Sequence, residues 1–322
     1  MGSYLIPELL GRGFMVDSLS NDVSYEPERE RLHYFVGDAR DRKTIDTLLE
    51  NNYDGIINFM HYDSDFMYHH KPYLDHCRHY IMLSSYRVFT DFDPITTERS
   101  PRHIDASPDI QFRNSDDYTI VKARAEDALR ASTYDNWTIA RPSIVFSKMS
   151  FPLVNLGAYA IVNRARDHVP TYIAREALDV QSCITWSGDI AKMFAGIICN
   201  ENAKCEDYNL VTSEHQSWGE LLEFYHDLLG LEARVVGKKD ILEFGFNGEK
   251  WSEWQTEYDR LLNRVMDNSK ILAVAGLSES DITPVKKVLE AELTALPPDY
   301  RFDDPFDVNR KMDAWWDRAK KC

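Results

Sequence analysis

Long apolar runs are missing from this sequence: none reaches the roughly 18 consecutive apolar residues that a bilayer-spanning helix needs. The N-terminus has no basic region followed by an apolar stretch and a cleavage site, so a cytoplasmic protein is expected. Cysteine is scarce, with five residues at Cys77, Cys183, Cys199, Cys205 and Cys322 and no Cys-x-x-Cys spacing. That pattern excludes a small disulfide scaffold and favours free thiols in a reducing compartment. No Gly/Ser-rich or Pro-rich tract and no internal repeat divides the chain. Positive charge is short as well: 37 basic against 53 acidic residues give a net charge of -16. The mean field therefore repels phosphate backbones and anionic membranes, which argues against general nucleic-acid binding. A nucleotide ligand stays open, because helix N-termini and a few basic side chains make a local anion site even on an acidic protein.

What is present is an ordinary globular composition, 43% hydrophobic and 28% charged over 322 residues. This length suits one α/β domain with a smaller appendage. In the first half, helical patterns alternate with short runs rich in β-branched and aromatic residues, the rhythm of parallel strands linked by crossover helices. Strands are predicted at Phe14–Ser20, Leu32–Gly37, Gly55–Met60, Tyr80–Ser84 and Trp137–Arg141. The intervening helices are Gly2–Leu10, Arg42–Asn51, Asp65–His76 and Asp117–Ala131. This describes a doubly wound parallel sheet, whose ligand lies at the carboxyl ends of the strands.

Beyond Pro142 the rhythm loosens. Helices are predicted at Leu156–Asp167, Gly188–Asn200, Trp218–Leu229, Ser252–Val265, Pro284–Ala295 and Val308–Lys320, with strands near Pro170–Ile173, Val180–Trp186, Tyr208–Val211 and Ala233–Val236. Residues 1–150 form the sheet domain, to which 175–205 return, while 151–174 and 206–322 form a smaller α+β substrate-covering domain.

Tyr118 and Lys122 stand four residues apart at the start of a helical pattern and share one face. A phenol titrates near pH 10, so it is a poor base at neutrality unless a nearby cation favours the phenolate. Lys122 supplies such a cation and has donors for a cofactor ribose. Upstream, Tyr80-Ile81-Met82-Leu83 ends in Ser84-Ser85, which puts hydroxyls at the carboxyl end of a buried strand. There Ser85 is placed to hold a carbonyl or alkoxide oxygen as charge develops on it. A lone Tyr-x-x-x-Lys is weak, since an amphipathic helix with a solvated lysine produces it too. The joint pattern is specific: Ser-Ser on one strand before it, and Ala140-Arg141-Pro142-Ser143 on another after it.

These segments resemble the extended short-chain dehydrogenases/reductases, the superfamily of NAD-dependent epimerases, dehydratases and reductases with a Rossmann-like fold. Ser84-Ser85-Tyr86-Arg87-Val88-Phe89 is similar to the family's Ser-Ser-x-x-Val-Tyr segment, which makes Ser85 the counterpart of its catalytic hydroxyl. Tyr118 and Lys122 match the catalytic tyrosine and lysine. Arg141-Pro142-Ser143-Ile144-Val145-Phe146 resembles the Arg-Pro-x-x-Val-Tyr strand beside the nicotinamide, so Pro142 and Ser143 are expected at the cofactor. Ser187-Gly188-Asp189-Ile190-Ala191 resembles the family's Val-Asp-Asp-Val-Ala helix start, and Tyr208-Asn209-Leu210 its following strand. A segment like Met266-Asp267-Asn268-Ser269-Lys270 recurs in a bacterial epimerase/dehydratase-like subgroup, which has a chloroplast stem-loop RNA-binding branch among its relatives.

In that family a Gly-x-x-Gly-x-x-Gly loop runs from the first strand into the first helix and lets the backbone approach a pyrophosphate. Here Gly2 matches the third glycine, Met1 the apolar residue before it, and the preceding strand is absent. Either the reading frame starts upstream or the chain is a shortened relative. The intact remainder of the pattern favours the first, because losing a central strand would unpair backbone groups. Ser20-Asn21 occupies the place of the acidic residue that holds an adenosine ribose in NAD enzymes, so NAD and NADP both stay open. Gly37-Asp38-Ala39 resembles the element beside adenine, and Phe59 and Met60 border the ribose and pyrophosphate or else pack into the core.

Other features are read more plainly. His69, His70, His76 and His79 with Asp65 and Asp75 lack a metal-binding spacing and are taken as a solvated helix or a subunit contact; the resemblance implies that this helix pairs subunits in a homodimer. Trp251, Trp254, Trp315 and Trp316 are read as core or interface aromatics, with ligand stacking as the alternative. Sugar-nucleotide enzymes of the family carry an arginine where this chain has Ser182, leaving Arg164, Arg166 or Arg175 for a diphosphate. The expected activity is NAD(P)-dependent epimerisation, dehydration or reduction at a carbinol or carbonyl of a nucleotide sugar. The alternative is a non-catalytic nucleotide- or RNA-binding relative that keeps the fold.

Overall fold

The computed structural model describes residues 1–21, 30–246 and 250–320, excluding the side chains of 245, 246, 250 and 251. The expected strands appear as β1 (Val16–Ser20), β2 (Leu32–Val36), β3 (Ile56–Asn58), β4 (Tyr80–Leu83) and β5 (Trp137–Pro142). They are followed by β6 (Ile144–Phe146), β7 (Thr171–Ala174), β8 (Ile184–Trp186), β9 (Glu206–Leu210) and β10 (Ala233–Val236). All pairings between these strands are parallel.

β4 explains why the sheet is covered on both faces. All four of its residues are buried. Side chains alternate across a strand, so Ile81 and Leu83 enter a cluster with Leu5, Ala140, Ile190 and Phe194, while Tyr80 and Met82 enter another with Ile45, Tyr73, Leu129 and Ile139. β5 alternates the same way, with Ala140 on the first face and Trp137 and Ile139 on the second. Helices Gly2–Gly11 and Ser187–Ile197 cover one face, and helices Arg42–Leu49, Phe66–His76 and Tyr118–Arg130 the other. Two-sided burial of this kind is what a parallel crossover sheet requires.

The sheet falls into separate ladders. β3, β4, β5 and β9 pair in that order, and β1 pairs with β2. Among the described residues no strand pairing joins β1 to β3. The two ladders still share a core: Leu19 of β1 packs against the cluster that holds Ile45, Tyr80 and Met82, and the Tyr53 hydroxyl donates to Asp17 at 2.8 Å.

Several boundaries depart from expectation for identifiable reasons. The chain leaves β5 at Pro142, and Ile144–Phe146 joins β8 instead, so the segment read as one strand serves two ladders. The helix expected over Leu156–Asp167 is a π-helical turn at Tyr159–Asn163 running into Arg164–Arg166. The helix expected over Ser252–Val265 is α-helical at Lys250–Gln255 and π-helical at Thr256–Arg260. Apolar spacing does not separate a widened turn from an α-helical one. The strand expected over Val180–Trp186 shortens to Ile184–Trp186, and the helices Lys238–Phe246 and Ser269–Ala275 were not anticipated.

Candidate functional site

Four chain segments meet at the carboxyl rim of the β3–β4–β5–β9 ladder. β4 ends at Leu83, and Ser85 then caps a short 3-10 turn, its Oγ accepting from the Arg87 amide at 3.2 Å. Helix Tyr118–Arg130 begins beside it, capped by Asp117, which accepts from the Thr119 amide at 2.8 Å. Tyr118 therefore sits in the first turn, and Lys122 follows one turn later on the same face.

The Ser85 hydroxyl acts on the Tyr118 phenol, favouring its ionised form. Lys122 is buried, and its Nζ donates to the carbonyls of Leu83 at 2.7 Å and Met60 at 3.4 Å. It stands 5.7 Å from the centre of the Tyr118 ring. The three residues expected to act together are thus brought together, with the backbone of Met60 joined to them.

Burial sets the acid–base behaviour. It pushes the Tyr118 phenol above its ordinary value, opposed by the Arg87 charge and the nearby Ser85 hydroxyl. The Lys122 ammonium is pulled down to about 8 by burial, with Glu126 acting in the other direction. An ammonium that titrates near neutrality is a group whose charge responds to a ligand or to small changes of pH.

Glu126, one helical turn beyond Lys122, anchors the helix. Its carboxylate takes Arg141 Nε at 2.7 Å and Nη2 at 2.8 Å, and it accepts from the Ser84 hydroxyl at 2.5 Å. Burial raises the carboxyl pKa, but the guanidinium charge and hydrogen bonds of Arg141 outweigh it and hold the group down at about 2. The Arg-Pro segment of β5 thereby fixes helix Tyr118–Arg130 to the strand ends, which positions Ser85 and Tyr118 relative to each other.

Three residues escaped the sequence reading. Arg87 lies 5.1 Å from the centre of the Tyr118 ring, His61 packs against the same ring at 5.1 Å, and buried Asp259 comes from the distant π-helical turn to within 3.4 Å of Arg87 Nε. Arg87 was visible only as one of the two unspecified positions between Ser85 and Val88, and no spacing ties residue 87 to residue 259. Arg87, Ser115, Asp116, Asp117, Tyr118, Trp254 and Gln255 line a cavity of about 360 Å³.

The remaining expected positions are distributed along the rim. The Gly37 amide donates to the Ser20 carbonyl at 2.9 Å, placing Asp38 and Ala39 beside the end of β1. The exposed Asp38 carboxylate accepts from the Arg40 amide at 2.8 Å. Phe59 is 36% exposed while its ring meets Phe194 edge-on at 5.7 Å, so it serves the core and still presents surface. Pro142 and Ser143 are buried, and the Ser143 hydroxyl shares a 2.6 Å hydrogen bond with Thr185. Gly2 is exposed at the start of its helix, and a Cβ there would meet nothing within 4 Å.

The histidines near Asp65 have separate partners: His70 Nδ1 lies 2.6 Å from the Tyr80 hydroxyl, His79 Nε2 lies 2.8 Å from Thr138 Oγ1, and His69 stacks on Tyr62. Trp315 and Trp316 pack around Tyr172. The ring of Trp251 lies outside the described residues. Arg164 bonds to Asp313 at 2.7 Å and Arg166 to the Pro297 carbonyl at 3.0 Å.

The sequence matches no protein-family profile and no curated protein. The structure is similar to many solved ones. The UDP-glucose 4-epimerase of Thermus thermophilus, solved with NAD, superimposes with a TM-score of 0.65 at 16% identity, covering 91% of this chain and 94% of that one. A dTDP-glucose 4,6-dehydratase from Bacillus anthracis, also in complex with NAD, gives 0.67 at 14% identity over 98% and 95%. The UDP-glucose 4-epimerase of Thermotoga maritima, solved with UDP-glucose, gives 0.67 at 12% identity over 91% and 94%. The chain has the fold of the NAD-dependent epimerases and dehydratases, a doubly wound α/β sheet with a smaller second region.

Proposed function

We propose that this protein is an NAD(P)-dependent epimerase, dehydratase or reductase that acts on a carbinol or carbonyl of a nucleotide sugar. One observation carries the reading: the Ser85 hydroxyl, the Tyr118 phenol and the Lys122 ammonium converge at the carboxyl rim of a parallel sheet, beside a cavity that Tyr118 lines.

A nicotinamide cofactor fits the groups present. Lys122 has three N–H donors and commits two of them to the Leu83 and Met60 carbonyls, which leaves one for a ribose hydroxyl. His61 Nδ1 is buried beside Tyr118 without a hydrogen-bond partner, a polar atom that a ligand would satisfy. Gly2, Ser20, Asp38, Ala39, Phe59, Met60, Pro142 and Ser143 would hold the rest of the dinucleotide. When bound, the cofactor supplies the hydride acceptor or donor.

The protein's own residues manage the proton and the oxygen. Tyr118 exchanges a proton with the substrate oxygen at its phenol, and the Ser85 hydroxyl donates to that oxygen as negative charge grows on it. Lys122 orients the ribose and adds positive charge near the phenol. With the phenol pushed up by burial, Tyr118 is a proton donor at neutral pH, which suits the step from carbonyl to carbinol. Titrating the protein with NADH and NADPH by fluorescence tests the reading. Saturable binding of either, coupled to turnover of UDP- or dTDP-hexoses, supports it; absence of saturable binding favours a non-catalytic binding protein with this fold.

A further inference from the structure

The surroundings of Tyr118 hold more positive charge than the hydride chemistry uses. Three guanidiniums, Arg87, Arg260 and Arg264, gather around the buried carboxylate of Asp259. Two of them are turned inward and held by several hydrogen bonds, although the Nε of each, like that of Arg87, is buried without a hydrogen-bond partner. Arg260 bonds Asp259 and the Tyr86 hydroxyl, while Arg264 donates to the Phe89 carbonyl at 2.9 Å and the Tyr258 carbonyl at 3.2 Å. Asp259 is also committed: its Oδ1 accepts from the Tyr86 hydroxyl at 2.5 Å, and its Oδ2 takes Arg260.

Arg87 is the guanidinium of this group that lines the cavity. It stands 3.4 Å from Asp259 Oδ2 through Nε and 3.8 Å from Asp117 Oδ1 through Nη2, and its Nε is buried without a hydrogen-bond partner. Asp117 already caps helix Tyr118–Arg130, and Asp116, the other carboxylate in the lining, is held 2.7 Å from Arg124. Three guanidiniums against the carboxylates of Asp259 and Asp117 leave one positive charge, presented at the cavity wall by Arg87. A desolvated guanidinium with an incomplete set of acceptors is unfavourable unless an anion completes it. One excess charge matches a monoanion, and the planar fork of a guanidinium matches a carboxylate.

We infer that Arg87 binds a carboxylate of the substrate, which makes the sugar a hexuronate or a similar sugar acid. Tyr118 lines the same cavity, so the carboxylate belongs to the ring being oxidised or reduced and not to a distant nucleotide. Trp254 supplies an apolar wall for that ring. This assignment rests on the reading of the site as a sugar-modifying one, and it specifies the class of sugar.

Calorimetric titration with free monosaccharides, in the presence and absence of NAD+, tests it without knowledge of the nucleotide. D-glucuronate and D-galacturonate are compared with D-glucose and D-galactose on the wild-type protein, Arg87→Gln and Arg87→Lys. The expected result is a preference for the hexuronates of about ten-fold, the value of one charge-assisted hydrogen bond. Arg87→Gln should abolish that preference, and Arg87→Lys, which keeps a cation beside Asp259 and so guards against a loss of folding, should retain part of it. Equal binding of acid and neutral sugars by the wild type, or a preference that persists in Arg87→Gln, overturns the inference. Tighter binding of glucose 6-phosphate than of either hexuronate also overturns it, since the anion would then be a phosphate. NADH affinity, measured separately, tells failure of the oxidoreductase reading from failure of this one.

Discussion

The Arg87 guanidinium lies closer to the centre of the Tyr118 ring, at 5.1 Å, than the Lys122 ammonium does, at 5.7 Å. The phenol ring therefore has two cations near it. Burial raises its pKa, and Arg87 is the largest influence acting against that rise.

The first prediction concerns that opposition. Arg87→Met should raise the Tyr118 pKa further, so the rate of carbinol oxidation, which needs phenolate, should climb at a higher pH than in the wild type. A pH–rate profile of the oxidative direction reads the shift directly, and superimposable profiles would show that Arg87 does not act on the phenol.

Lys122 gives a second pH dependence. Its pKa is pulled down to about 8, below the ordinary value of 10.5, so the ammonium available to a cofactor ribose is lost as pH rises through about 8. NADH affinity should be flat below that pH and weaken above it. Lys122→Met should remove the dependence and weaken binding by roughly ten-fold, the equivalent of about 1.5 kcal/mol for one charge-assisted hydrogen bond. An affinity independent of pH from 6 to about 10 in the wild type would count against this role.

The buried pair of Glu126 and Arg141 fixes the helix that carries Tyr118. Arg141→Met leaves a buried carboxylate short of its bidentate partner and should cost about 3 kcal/mol or more in urea unfolding. The sign with pH follows from the same pair. Glu126 has its folded pKa lowered to about 2 from 4.5, so its stabilising contribution is present above the ordinary value and is lost as pH falls from there toward 2. Arg141→Met should lose less stability than the wild type over that acid range; an equal acid loss in both proteins would remove Glu126 from the account.

Close packing of two helices gives a prediction away from the site. A Cβ on Gly196 would lie 2.5 Å from the Ala275 Cβ and 2.8 Å from its backbone oxygen, where helix Ser187–Ile197 meets helix Ser269–Ala275. Gly196→Ala should destabilise by about 1–3 kcal/mol through this overlap, measured as a shift of the urea midpoint. An unchanged midpoint would mean that the helices separate at little cost.

Much of this organisation could be read from the sequence because it depends on local signals. The apolar run Tyr80–Leu83 announced a strand covered on both faces, and the four-residue interval from Tyr118 to Lys122 announced a shared helix face. What stayed hidden depends on contacts between distant segments. Arg87 and Asp259 meet through tertiary packing alone, and Ile144–Phe146 leaves β5 to pair with β8, about 40 residues further along the chain. The π-helical turn that brings Asp259 to the site has the same apolar spacing as an α-helix, so its widened geometry left no mark in the pattern. The 2.6 Å hydrogen bond between the Ser143 and Thr185 hydroxyls likewise joins residues far apart in the chain.

The central claim is that Tyr118 carries the proton during hydride transfer. Turnover of a panel of nucleotide sugars by Tyr118→Phe, with NADH affinity measured on the same preparation, tests it most directly. The account predicts activity lower by at least about 100-fold, the usual worth of a positioned acid–base group, with cofactor affinity within about two-fold of the wild type. Turnover comparable to the wild type with cofactor still bound would contradict it.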